Sequence, residues 1–296
     1  MIFGLEVLAI NRRMMRLLCV ALVSALLLLC LVACKSGEDG GATDMGDEMT
    51  LELNPEGGEP FSLRVGSYNI AIAQRVGFDV APLAEDVLSK SLDVVGFQEV
   101  DQGAERSAGI DTMKRLSEET GYAYYQFFKA ISVGKGSDGL GILSRYPIVK
   151  SEWIPLESGG GEQRILAHAT IDVDGTWIDF FVTHLTFGAN DIRNAQFQTV
   201  ADIVSRYENF VLVGDFNTRS FDDYPQFDGA GMVNNREFSL PTFSKYDLTL
   251  DNIIYSASSW SFSKPETLDN RHSDHYMLYA TGTYIPRAAR GGSAAK

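Results

Sequence analysis

Three separated segments concentrate groups able to cleave a phosphoric ester: Gly96-Phe97-Gln98-Glu99, Val213-Gly214-Asp215-Phe216-Asn217 and Ser273-Asp274-His275. Such cleavage needs a cation against the phosphoryl oxygens, a base for the attacking water and help for the departing oxygen. Carboxylates at Glu99, Asp215 and Asp274, an amide at Asn217 and an imidazole at His275 are groups of the right kinds. Magnesium takes oxygen ligands and keeps several waters, so one or two carboxylates suffice to hold it. Glu99 fits that role best, with manganese the alternative ion. Zinc is disfavoured because no histidine and cysteine cluster with zinc spacing exists. Asp215 and Asn217 point to the same side if the backbone is extended there, and can share one phosphate. Taken alone, Asp-Phe-Asn would serve equally well as a turn ending a strand. His275 titrates near neutrality and suits proton chemistry, above all if a carboxylate fixes its other nitrogen. Asp251 and Asp247 both compete for that place.

Each segment ends or adjoins an apolar run (Leu92 to Phe97, Phe210 to Val213, Tyr276 to Ala280), the pattern of buried strands that deliver polar groups at their ends. From about Phe61 to Pro286 the chain alternates strand-like and helix-like stretches without a second linker, so 61–286 is read as one domain. Strands are expected at Leu63 to Ile70, Val94 to Phe97, Tyr124 to Phe128, Gly141 to Ser144, Ile165 to Val173, Trp177 to His184, Phe210 to Gly214, Asn252 to Tyr255 and Tyr276 to Thr283. Asp174-Gly175 is the expected hairpin turn. Helical spacing covers Val80 to Leu92, Ile110 to Thr120 with Gly121 as its stop, and Asp191 to Tyr207. Phe127, Phe128, Phe180 and Phe181 are expected in the core.

The order of motifs resembles that of the endonuclease/exonuclease/phosphatase superfamily, which includes deoxyribonucleases, abasic-site endonucleases, sphingomyelinases and inositol phosphatases. It is carried by Ser67-Tyr68-Asn69-Ile70, Phe97-Gln98-Glu99-Val100, Gly141 to Ile148, Thr183-His184-Leu185, Gly214 to Thr218, Leu250 to Tyr255 and Ser273-Asp274-His275. The resemblance implies an α/β fold, a four-layered αββα sandwich of two packed mixed β-sheets flanked by helices. It further implies Glu99 as principal metal ligand, with Asn69 nearby and Asp274 contributing directly or through water. By the same resemblance Asp215 aligns or activates water, Asn217 donates to a nonbridging oxygen, Asp251 orients His275, and His184 contacts the scissile phosphate. His168 and His272 are read as structural, and Arg106 and Arg164 either as phosphate binders or as ion-pair partners.

The N-terminus has its own logic. Arg12, Arg13 and Arg16 precede an uncharged, predominantly apolar run from Leu17 to Ala33, read as an export signal over residues 1–33. It closes on Leu31-Val32-Ala33-Cys34, which resembles the lipobox of bacterial lipoproteins. Cys34 is then the lipidated first residue, Lys35 after it suggests the outer membrane, and the competing reading is an uncleaved membrane helix. Residues 34–60, rich in Gly, Asp and Glu, are expected to be an acidic disordered tether, and residues 287–296 a disordered tail. All three cysteines lie in the leader region, so the domain carries no disulfide, thiol nucleophile or cysteine metal site.

Composition is globular, with 45% hydrophobic and 22% charged residues, but the net charge is −14. An acidic body repels polyanions and argues mildly against a nonspecific nuclease. The expectation is an exported, membrane-tethered, magnesium-dependent monomer that hydrolyses a phosphodiester or phosphomonoester by in-line water attack. A nuclease acting on DNA or RNA is the alternative, and a catalytically inactive binding protein of the same fold is the third reading.

Overall fold

The computed structural model describes residues 59–286 apart from Gln226, Asp228 and Asn270. The expected signal peptide, Cys34, nearly all of the tether and the tail lie outside the described residues. Among the described residues no helix is long and apolar enough to cross a membrane.

Two mixed sheets face each other. The first contains β1 (Phe61–Asn69), β2 (Val94–Gln102), β3 (Tyr124–Val133), β4 (Gly136–Ser144), β11 (Trp260–Phe262), β12 (Glu266–Leu268) and β13 (Met277–Tyr284). Its strand order is β11-β13-β1-β2-β4-β3, with β12 also paired to β13. The second runs β5 (Ile148–Pro155), β6 (Ile165–Val173), β7 (Thr176–His184), β8 (Phe210–Asp215), β10 (Asp251–Ser256) and β9 (Ala230–Met232). Only β1 with β2 and β7 with β8 pair in parallel. Parallel neighbours need a crossover, and the helices supply it: α1 (Ala81–Ser89) joins β1 to β2, and α3 (Asn190–Val204) joins β7 to β8. A third helix, α2 (Thr112–Thr120), lies beside α1. Asp111 caps it by accepting from Lys114 N, and Gly121 ends it in the left-handed region.

Alternation along the strands divides the apolar residues into three layers. Val65, Val94, Ile142, Val182, Val213 and Ile253 meet between the sheets. Leu83, Val87, Met113 and Leu116 cover the outside of the first sheet over Val95 and Phe97, and Phe197, Val200 and Val204 cover the second over Phe181 and Leu212. Each fully buried side chain of this kind contributes about 1.5–3 kcal/mol. Helix, sheet, sheet and helix are thus the four expected layers. Phe128 and Phe180 lie between the sheets and Phe181 outside the second, while Phe127 packs partly buried outside the first.

Several boundaries differ from the pattern in the sequence. Val94 to Phe97 is the first half of a strand that continues to Gln102, and Tyr124 to Phe128 and Gly141 to Ser144 are the far ends of one long hairpin. Strands β5, β9, β11 and β12 carry no clear apolar alternation because three are only three residues long and β5 is largely exposed at a sheet edge. The Asp174-Gly175 turn forms as expected, both residues having positive φ (51° and 90°), the geometry that suits a tight hairpin.

Candidate active site

The site is the polar end of the core. On β7, β8 and β10 the inward positions run Val182 then His184, Val213 then Asp215, and Ile253 then Asp251. Register places His184, Asp215 and Asp251 in one row across three adjacent strands, so their side chains emerge on the same face. From the opposite sheet, Asn69 ends β1 at the site, the carboxyl end of a parallel strand being where such folds bind ligands. Gly96 lets the sheets approach just below: a Cβ there would lie 2.4 Å from Val213 Cγ2 and 2.7 Å from Val182 Cγ2.

Glu99 reaches this region through a β-bulge. The register of β2 on β4 shifts between Phe97 and Val100, and Glu99 takes φ +54°. Phe97 and Val100 consequently both face the outer helices, and the polar Gln98-Glu99 pair is spliced between them. A left-handed glutamate costs about 1–3 kcal/mol, a strain met where surroundings fix a functional side chain. Asn217 is also left-handed, at φ +50°, which asparagine tolerates better.

Asn69 Nδ2 donates to Glu99 Oε1 at 3.1 Å and to Asp215 Oδ2 at 3.2 Å, while its Oδ1 accepts from Ala71 N at 3.1 Å. Asn69 thus offers the site its amide hydrogens and orients two carboxylates. The sequence reading puts Asn69 near the metal, and its Oδ1, with one lone pair taken by Ala71 N, keeps a second able to accept another partner. Asp215 Oδ1 accepts from Asn217 N at 2.9 Å, and Asn217 Nδ2 donates to Leu185 O at 2.9 Å.

His275 Nδ1 lies 2.8 Å from Asp251 Oδ2, and its Nε2 lies 3.6 Å from Asp215 Oδ2. Asp247 sits exposed in the preceding turn, so the partner of His275 here is Asp251. The Thr242 hydroxyl accepts from Asp251 N at 2.9 Å, and the Phe243 ring packs 5.0 Å from the imidazole. Ser273 Oγ donates to Asn69 O at 2.7 Å and ties the loop bearing His275 to β1. Burial opposes charge on His275, but Asp251 and Asp215 outweigh it and raise its pKa to about 10. Burial, with Asp251 beside it, pushes Asp215 up to about 7, against the pull of His275.

His184 is held differently. Arg164 Nη1 lies 3.0 Å from its Nδ1, and its Nε2 is 3.5 Å from Asp215 Oδ2. Arginine only donates, so Nδ1 is the acceptor and the ring proton is on Nε2. Burial, then Arg164 and His275, hold this histidine well below its usual pKa. His184 is a neutral donor beside a charged His275. Sequence patterning gave Arg164 only a choice between phosphate and ion pair; it contacts His184 and, at 3.2 Å, Glu162. Nothing in the sequence marks Thr242 or Phe243, whose roles arise from a loop fold.

The remaining basic candidates lie elsewhere. Arg106 forms a bidentate pair with Asp101 and also meets Asp138 at 2.9 Å. His168 bridges Glu152 and Asp179 on the outer face of the second sheet, stacked on Phe181, and His272 contacts Asp86.

Glu99 and Asp215 share the Asn69 amide, Asp251, Asp215 and Asp274 all act on His275, and among the described residues no lysine or arginine forms an ion pair with Glu99 or Asp274. That oxygen-only donor set fits magnesium or manganese. Ligand atoms of Asp215, Asp251 and His275 also lie within 4.8 Å of one another and could hold a metal ion, but an ion there competes with the proton on His275.

Comparison with solved structures gives the same fold. An endonuclease/exonuclease/phosphatase from Beutenbergia cavernae DSM 12333 aligns with a TM-score of 0.63 at 23% identity, over 75% of this chain and 72% of that one. The catalytic domain of human Nocturnin with bound sulfate gives 0.61 at 22%, over 76% and 95%. A mannosyl-6-phosphatase from Bacteroides thetaiotaomicron VPI-5482 gives 0.56 at 16%, over 74% and 98%. A search of curated protein sequences returned no match. The sequence model of the Endonuclease/Exonuclease/phosphatase family matches residues 66–275, a span that takes in every site residue from Asn69 to His275. The chain therefore belongs to that family, and with it to the metal-dependent phosphoric ester hydrolases.

Proposed function

We propose that the protein is an exported, lipid-anchored, magnesium-dependent phosphoesterase that hydrolyses a phosphodiester or phosphomonoester by direct in-line attack of water. The observation that carries this is the meeting of Asn69, Glu99, His184, Asp215, Asp251 and His275 at one end of the space between the sheets. Bound by Glu99 and Asp274, with manganese as substitute, a divalent ion would neutralise charge on the phosphoryl oxygens. Asp215, basic for a carboxylate because it is buried, takes the proton of the attacking water, while Asn217 holds its other oxygen through the backbone. Neutral His184 donates from Nε2 to a nonbridging oxygen, where the Asn217 amide is a second donor. His275, kept cationic by Asp251, donates from Nε2 as negative charge grows, and can pass its proton to the departing oxygen. The complete set of groups opposes an inactive binding protein.

Support for export is confined to the sequence: three arginines, an apolar run and the Leu31-Val32-Ala33-Cys34 ending followed by Lys35. On this reading Cys34 carries the lipid, and the monomeric enzyme works on the cell envelope, held in the outer membrane. The test is hydrolysis by the full chain, with and without magnesium, of plasmid DNA, RNA, sphingomyelin, inositol phosphates and bis-p-nitrophenyl phosphate. Magnesium-dependent turnover is expected on at least one of them; folded, metal-binding protein inert towards all would count against the reading. Incorporation of labelled palmitate in wild type and not in Cys34→Ala tests the anchor.

A further inference from the structure

We propose that Arg106 is a positioning residue for metal binding: by bridging Asp101 and Asp138 beside the bulge in β2, it holds Glu99 in the left-handed conformation that turns its carboxylate towards Asn69 and the site. The proposal rests on the reading of Glu99 as a metal ligand. Gln98 and Glu99 together oppose the single residue Leu140, because Phe97 pairs with Gly141 and Val100 with Gly139. Strand β3 is irregular at the same level, where Lys129 pairs with Gly139 and Ile131 with Asp138, so that Ala130 is an extra residue. Gly139 is fitted to this crowding, since a Cβ there would lie 1.9 Å from Phe128 O. Strand β4 is thus flanked by two bulges at one level, and a bulge leaves its ladder locally disrupted. Glu99, at φ +54°, sits in the first of them. Backbone strain of this kind persists only where its surroundings over-determine it.

Three side chains supply what the ladder lacks. Arg106 Nε donates to Asp101 Oδ2 at 2.9 Å and Nη2 to Asp101 Oδ1 at 2.7 Å, and Nη2 also donates to Asp138 Oδ2 at 2.9 Å. Asp101 and Asp138 face each other on β2 and β4 as the second pair past the bulge. One planar fork therefore locks both strands two residues beyond Glu99. Arg106 is itself fixed by a single turn of 3-10 helix, Glu105–Ser107, in which Ser107 Oγ donates to Ala104 O at 3.0 Å. That turn leans on the start of β4, where a Cβ on Gly136 would fall 2.3 Å from Ala104 N. Arg106 stands apart from the row of His184, Asp215 and Asp251, but Glu99 is close enough to act on the clamp. Burial raises the pKa of Asp138 to about 7 against the pull of Arg106, and the charges of Asp101 and Glu99 add to the rise. Two simpler roles for Arg106 would leave other marks. Asp101 is fully buried, and if Arg106 served only to neutralise it, losing Arg106 would lower stability and nothing else. As a bare positive charge near Glu99 it would oppose a metal ion, and losing it would tighten metal binding. Positioning predicts the opposite sign.

The test is binding of manganese, a paramagnetic substitute for magnesium, to the full chain in detergent without substrate, read by electron paramagnetic resonance beside the melting temperature. Arg106→Gln should weaken manganese affinity about tenfold, the scale seen when groups that orient a metal ligand are removed. Arg106→Lys, which keeps the charge and loses the fork, should fall between that variant and wild type. Asp138→Asn, which leaves Asp101 its partner, should weaken binding by a smaller factor. Affinity is compared between folded proteins, so a loss of stability alone does not move it. Unchanged or tighter manganese binding in folded Arg106→Gln overturns the proposal, whatever the melting temperature does. If that variant does not fold, the same result in Arg106→Lys and Asp138→Asn overturns it. Glu99→Gln checks the underlying reading. Weakened binding there with no effect in the Arg106 variants removes only the positioning role, whereas unchanged binding in Glu99→Gln removes Glu99 as a ligand and the proposal with it.

Discussion

Arg164 Nη1 faces His184 Nδ1 at 3.0 Å, a contact that a protonated Nδ1 would forbid. The guanidinium therefore chooses the tautomer that turns an N–H towards Asp215. Arg164→Ala should lower kcat about 10- to 100-fold, the scale of one misaligned donor to a developing charge. Arg164→Lys, which keeps a donor at that place, should recover part of the loss. Ring nitrogen shifts of His184 in NMR should show the Nε2–H form in wild type and a tautomer mixture in the alanine variant; an unchanged spectrum would remove Arg164 from this role.

His275→Ala should reduce turnover by roughly two to four orders of magnitude while leaving magnesium binding near wild type, since the imidazole serves proton chemistry. Asp251→Asn should keep the ring in place but lose the charge that holds the imidazolium, with a fall of about a thousandfold or more. Steady-state rates beside calorimetric metal titration separate the two effects.

The dependence on pH follows from two buried groups. Activity needs Asp215 ionised and His275 protonated, so kcat/KM should rise through about 7 and fall through about 10. Stability without metal should run the other way. His275 has a folded pKa above its free value, so its stabilisation is complete below the free value near 6.5 and is lost as pH climbs through about 10. Asp215 is also raised, from 3.8 to about 7, so its ionisation costs stability progressively over that interval. In chelator, the melting temperature should fall as pH rises through this window, and Asp215→Asn should flatten the part between about 4 and 7. A melting temperature that instead rises over that part would contradict the buried, ionised Asp215.

At Gly96 the two sheets approach closely, and an added methyl would collide with Val213 and Val182. Gly96→Ala should destabilise the domain by about 1–3 kcal/mol and, by spreading the sheets below the site, weaken the Asn69 contact to Asp215. Denaturant unfolding gives the first quantity. A variant as stable as wild type would mean that the sheets can separate there freely.

The sequence by itself determined the alternation of β1 and the apolar runs of β8 and β13, because such patterns are local, and with them the strand ends that carry or adjoin Asn69, His184, Asp215, Asp251 and His275. It also determined the residue types suited to phosphoric ester chemistry. It could not determine that Glu99 enters through a bulge, since a two-for-one mismatch exists only relative to a partner strand. Nor could it choose between Asp251 and Asp247, which lie on the same side in sequence; cross-strand register with β8 makes that choice by placing Asp251 opposite Asp215. The Arg164 contact to His184 was likewise decided by tertiary structure. It joins segments distant in the chain, whose paths follow from packing and hydrogen bonds that no local periodicity records.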